Sequence, residues 1–97
     1  MKLISKDNYQ FGSFPPFTAY AKVWNFDSTE QSDGKYDVKV LVNLFSSQDS
    51  AVANDGTSFK QTDCNLNDVA KTNLDADYLT EQALTIDEYS DWTLVTV

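Results

Sequence analysis

The chain has no histidine and no arginine, and only one cysteine, two prolines and three glycines among its 97 residues. Each shortage removes a class of chemistry. Histidine is the side chain that titrates near neutral pH, the usual general acid or base and the commonest metal ligand. Arginine is the bidentate clamp for phosphate, and three scattered glycines do not build a phosphate-cradling loop. Cys64 has no partner for an internal disulfide, which suits a reducing compartment, and no histidine to make it a thiolate. It reads as a partly buried structural thiol. No Asn-x-Ser/Thr sequon occurs. No apolar run is long enough to cross a bilayer, and Lys6, Asp7 and Asn8 interrupt the apolar start before a signal-peptide core develops. The expectation is a soluble, non-enzymatic protein folded in a cytoplasm. No cofactor, metal, small-molecule substrate, membrane or direct nucleic-acid partner is expected.

What is present is acid, unevenly placed. Residues 1–48 hold five Lys against five acids, whereas residues 49–97 hold Lys60 and Lys71 against ten, so the second half carries the whole net charge of −8. Nucleic-acid binding needs a basic stripe, and the sign here is opposite. An acidic face can instead imitate a phosphate backbone, and Asp75, Asp77, Glu81, Asp87, Glu88 and Asp91 are the residues that would form it. A set of exposed acids more often serves solubility. An apolar fraction of 41% is that of a folded chain, so the acidity does not imply disorder.

The order of elements follows from periodicity, and the length fits a single domain, residues 1–97. Residues 2–11 read as a first strand closed by Gly12-Ser13, and Phe14-Pro15-Pro16-Phe17 as a rigid extended lead-in. From Thr18 to Asp27 the residues alternate, with Tyr20, Lys22, Trp24 and Phe26 on one face and Ala19, Ala21, Val23 and Asn25 on the other. Residues 27–35 have the composition of a hairpin loop with Asp33-Gly34 as its turn. Tyr36, Val38, Val40, Val42 and Leu44 then define a strand with that face in the core. Residues 46–57 read as a polar connection, Thr57 to Cys64 as a further strand, and Leu66 to Asn73 as unassigned. Asp75 or Asp77 can cap a helix whose stripe is Ala76, Leu79, Ala83 and Ile86, ending within Asp87 to Asp91. Trp92 to Val97 adds an edge strand. The expected fold class is α+β: a mainly antiparallel sheet of about four strands, with a sandwich or barrel as the alternative, and one C-terminal helix.

Three chemistries are weighed against plainer readings. Asp63 to Asp68 matches the opening of a calcium loop, but Asp68 stands where the loop needs Gly and Leu74 where it needs a bidentate Glu. A solvated polar loop is the better reading. Paired carboxylates such as Asp75 with Asp77, or Asp87, Glu88 and Asp91, would need an apolar pocket to hold one proton, and their neighbours are polar. The aromatics are the more telling group: two Trp, five Tyr and six Phe exceed what one small core uses. The candidate interface comprises Leu3, Ile4, Phe14, Phe17, Trp24, Phe26, Trp92, Leu94 and Val95, with the segments Met1 to Ser5 and Trp92 to Val97 as joints.

The order of segments carries a resemblance. A start Met1-Lys2-Leu3-Ile4, then T-A-Y-A-K-V-W at 18–24, K-Y-D-V-K-V-L-V-N-L-F-S-S at 35–47 and Y-L-T-E-Q-A-L-T-I-D-E-Y-S-D-W at 78–92 resemble small proteins of tailed-bacteriophage particles. The resemblance implies a virion component (capsid accessory, neck or tail), made in host cytoplasm, present in many copies and contacting other virion proteins and itself. It carries no catalytic residues. The alternative from the charge is a phage-encoded acidic inhibitor or adaptor that mimics nucleic acid and blocks a host protein.

Overall fold

In the computed structural model, which describes all of Met1–Val97, the alternating run at Tyr36 to Leu44 lies in an interior strand, β3 (Lys35–Phe45). Val38, Val40, Val42 and Leu44 are each 2% exposed or less. Branched side chains at every second position suit a pleated surface buried on that face. β3 pairs antiparallel with β2 (Phe17–Ser32) on one side and β4 (Lys60–Ala70) on the other. β1 (Lys2–Tyr9) lies beyond β2, and β5 (Thr93–Thr96) closes the order β4-β3-β2-β1-β5. The result is α+β with one sheet of five strands, so the sandwich and the count of about four both give way.

Two irregularities of the ladders are concealed by composition. Leu66 and Val69 are three residues apart, out of step with period two, yet both are buried. A bulge reconciles them: Leu66 pairs with Val38 and Val69 with Tyr36, while Asn67 and Asp68 together oppose Asp37. Asp68 takes a left-handed backbone, φ 58°, to make it possible. The segment resembling a calcium loop is therefore strand, not loop, and cannot wrap a cation. A second irregularity sits in β2 between Val23 and Asn25, with Trp24 as the extra residue. Past it the faces exchange, so Phe26 lies across from Val40 and packs on the main core, apart from Trp24.

The expected 27–35 loop also shrinks. Ser32 pairs with Lys35, leaving Asp33-Gly34 as a two-residue turn in which Gly34 adopts φ 72°. Residues 27–32 are strand because so tight a turn keeps its two arms paired up to its ends. The sixteen-residue β2, at roughly 3.3 Å per residue, accounts for the 47 Å long axis.

Two short helices cover the sheet, where one was expected. α1 (Gln48–Ala53) lies within the polar connection, capped by the Ser47 hydroxyl accepting from the Ser50 amide at 3.2 Å. Its Ala51 packs with Leu3 and Phe45 on the second face. α2 (Ala76–Gln82) covers the main face with Leu79, and the Asp75 carboxylate caps it by accepting from the Tyr78 amide at 2.8 Å. The apolar stripe outlasts the helix: 3-10 turns at Ala83–Thr85 and Asp87–Tyr89 carry the chain on to buried Tyr89 and Trp92. No helix is long and apolar enough to cross a membrane.

Thr80 fixes α2 to the sheet. Its hydroxyl donates to the Ala76 carbonyl at 2.7 Å and accepts from the Val23 amide, at the β2 irregularity, at 3.1 Å. Both residues are 1% exposed. Replacing Thr80 with Val keeps the shape and strands a buried N–H, a loss of about 1–3 kcal/mol, whereas Thr80→Ser retains most of the stability. Urea unfolding of the two variants checks this; equal stability would show that the bond carries nothing.

Candidate functional site

The connection from β1 to β2 is built to hold aromatic rings at the end of the sheet. The Gln10 side-chain amide donates to the Gly12 carbonyl at 3.1 Å and the Phe14 carbonyl at 2.7 Å, and the Phe14 amide donates to the Phe11 carbonyl at 3.2 Å. Gly12 supplies the left-handed turn, φ 57°. Phe11 and Phe14 are thereby stacked, centroids 6.2 Å apart and nearly parallel at 10°.

Phe59, just before β4, meets this loop from the other side. Its ring lies 4.8 Å from Phe11, 5.3 Å from Phe17 and 5.8 Å from Tyr9. The series continues inward through Tyr9 to Trp92 at 5.7 Å and Trp92 to Tyr89 at 5.3 Å. Edge-to-face pairs of this kind add about 0.5–1.5 kcal/mol each beyond the area they bury. At the inner end the Tyr89 and Thr62 hydroxyls are hydrogen-bonded. At the outer end the rings form a groove of about 400 Å³ lined by Phe11, Phe14, Pro15, Phe17, Ser46 and Phe59. No ionisable group lines it. Phe14 is 62% exposed at its rim.

The expected interface divides when placed on this frame. Phe14 and Phe17 line the groove. Trp24 is 42% exposed. Phe26 and Leu94 are half-buried against the main core, and Val95 packs on the second cluster. Leu3, Ile4 and Trp92 are buried within the chain's own core. β1 is flanked on both sides, by β2 and β5, so its backbone edges are already paired. Phe11 and Phe59 are the groove residues absent from that expectation. Phe59 had a signal, as the only large apolar residue between Val52 and Leu66.

The acids divide as well. Asp77 accepts from the Lys2 amide at 3.0 Å and lies 4.0 Å from the terminal ammonium of Met1. Glu81 pairs with Lys2 at 3.3 Å, and Asp91 pairs with Lys6. The Lys6 hydrogen bond holds the Asp91 carboxyl below its ordinary range. Asp75 is the helix cap, which leaves Asp87 and Glu88 as exposed acids without ion pairs in this set. Two of the six acids thus face cations of β1, and a third faces the Met1 ammonium.

Cys64 is half-buried in β4. Burial first, then the charges of Glu88 and Asp63, push its thiol up to about 11, and burial likewise pushes the Tyr89 phenol up to about 12. The thiol is neutral near pH 7 and is not poised as a nucleophile. No family model matches the chain, and neither a curated protein nor a solved structure is similar to it.

Both groups lose their protons more easily unfolded, from ordinary values of 9.0 and 10.0. Their contribution is complete below pH 9 and falls as pH rises through that window toward 12. Thermal unfolding followed from pH 8 to 11 should show the midpoint fall above pH 9, and Cys64→Ser should flatten the first part of the fall. A flat wild-type profile would contradict the assignment.

Proposed function

We propose that this chain is a non-enzymatic structural protein that acts by protein–protein contact, through the aromatic groove at the end of its sheet, as a component of a bacteriophage particle. The observation that carries the reading is the groove itself. Small-molecule sites place a few convergent polar groups among their apolar walls to fix orientation. This groove offers rings, a proline and one serine, a lining that rewards apolar area and shape. An apolar side chain from a neighbouring polypeptide fits that chemistry, with the exposed Phe14 as an anchor at the rim.

The neutral thiol of Cys64 and the absence of histidine support a non-catalytic role. The particle setting, with other virion proteins and further copies of the chain as partners, rests on the segment-order resemblance. The ion pairs of Asp77, Glu81 and Asp91 weigh against the acidic mimic, because half of its proposed surface is already engaged within the chain.

Sedimentation of phage-infected cell extract, with mass spectrometry of the fractions, tests the reading. The wild-type chain should be recovered in megadalton particles at fixed stoichiometry. Phe14→Asp, at a ring that is 62% exposed, should shift the unfolding curve only slightly and reduce recovery in particles at least ten-fold. Recovery of the wild type only as a free small species would overturn the particle assignment. Undiminished recovery of the variant would remove the groove from it.

A further inference from the structure

β4 is an edge strand eleven residues long, and β3 is its only ladder partner. The other edge, β5, has four residues. An open strand edge is normally blunted, since its unpaired amides and carbonyls template further pairing. Here the bulge at Asn67 and Asp68 interrupts the edge but leaves Lys60 to Leu66 in unbroken register with β3. From Asn65 onward, along the bulge, runs a groove of about 350 Å³. Leu66, Asp68 and Val69 of β4 line one wall, and Tyr78 and Gln82 of α2 with Ile86 line the other. A regular free edge alongside a helix and a groove is the arrangement that accepts an extended chain as an additional strand.

The charge around the edge selects the occupant. Asp68 and Glu88 make no ion pair, whereas Asp63 is paired to Lys39, and Lys60 is the one cation on the edge itself. A second copy at this edge would bring together two chains that each carry −8. Like charges at close quarters disfavour that pairing. A cationic segment meets complementary charge at Asp68 and Glu88, and the field of the acidic second half draws it in.

We propose that the Lys60 to Leu66 edge and the groove beside it bind an extended, lysine- or arginine-bearing segment of another protein, which adds to the sheet as a sixth strand next to β4. This site shares no lining residue with the aromatic groove, so the two stand or fall separately.

The test is a titration of the ¹⁵N-labelled protein with a capped peptide of alternating Lys and Val, read by amide shifts and hydrogen exchange. Shifts and slowed exchange should concentrate on Lys60 to Leu66 and on Asp68, Tyr78 and Gln82, and affinity should fall as salt rises. Asp68→Asn, which tolerates the left-handed backbone, combined with Glu88→Gln should weaken binding at least ten-fold while leaving the unfolding curve in place. Methylating alternate backbone amides of the peptide, in both phases, keeps its charge; the phase that blocks the ladder should abolish binding. The proposal is overturned by any of four results: no binding, equal binding of both methylated peptides, equal binding of a Glu-for-Lys peptide, or a dimer with β4 amides protected before peptide is added.

Discussion

Everything on the main face depends on keeping a seven-residue helix seated over one place in the sheet. α2 is too short to be stable alone, so its helicity comes from what it packs against. Leu79 supplies apolar contact, which is strong but not directional. Direction comes from the Thr80 hydroxyl, which ties the Val23 amide to the helix backbone through one oxygen. The position of that bond is set by the β2 irregularity around Trp24. The same irregularity returns Phe26 to the core and turns Trp24 outward. One inserted residue therefore fixes the helix, completes the core and leaves an indole on the surface.

The charge distribution is also structural. Read along the sequence, the chain has a neutral half and an acidic half. In space, the amino groups of Met1, Lys2 and Lys6 meet Asp77, Glu81 and Asp91. Exposed pairs of this kind are each worth little, but together they bias β1 toward the side of the sheet where α2 and the last 3-10 turn lie. Their further effect is on what remains. With those acids engaged and Asp63 paired to Lys39 at 3.3 Å, the exposed acids without ion pairs include Asp68, Asp87 and Glu88. The molecule's net charge of −8 is thus not spread as a uniform phosphate-like face.

How legible the molecule was in its sequence varied with the kind of signal. Strict alternation in β3, a cap at Asp75 or Asp77 and the terminal edge strand were plain, because each depends on residues close together in the chain. The bulges were not. A bulge is selected by the partner strand, and Leu66 with Val69 look merely irregular until Val38 and Tyr36 stand opposite them. Residues 27–32 are polar on both faces, and only the two-residue reach of Asp33-Gly34 shows that they pair. The groove was half legible: the density of aromatics from Phe11 to Phe17 marks one wall, whereas Phe59 arrives from more than forty residues away. A resemblance in segment order reveals nothing about such a meeting.

The groove's rings are continuous with the core, through Tyr9 and Trp92 to Tyr89, and this bears on what a contact there can do. A rim residue on a mobile loop loses ordering entropy when it binds, which subtracts from affinity. Phe14 sits instead on a loop already hydrogen-bonded by Gln10 and stacked on Phe11, which is itself packed on Phe59. Little remains to be ordered, so a partner's apolar side chain would gain most of the area it buries. The β4 edge has the opposite character, polar and charged at its margins, where complementary charge mainly speeds encounter. A rigid apolar groove governs how long a contact lasts, because variation among related interfaces lies mostly in dissociation. With both surfaces in use on one small sheet, capture and retention would be separate properties, set by different residues.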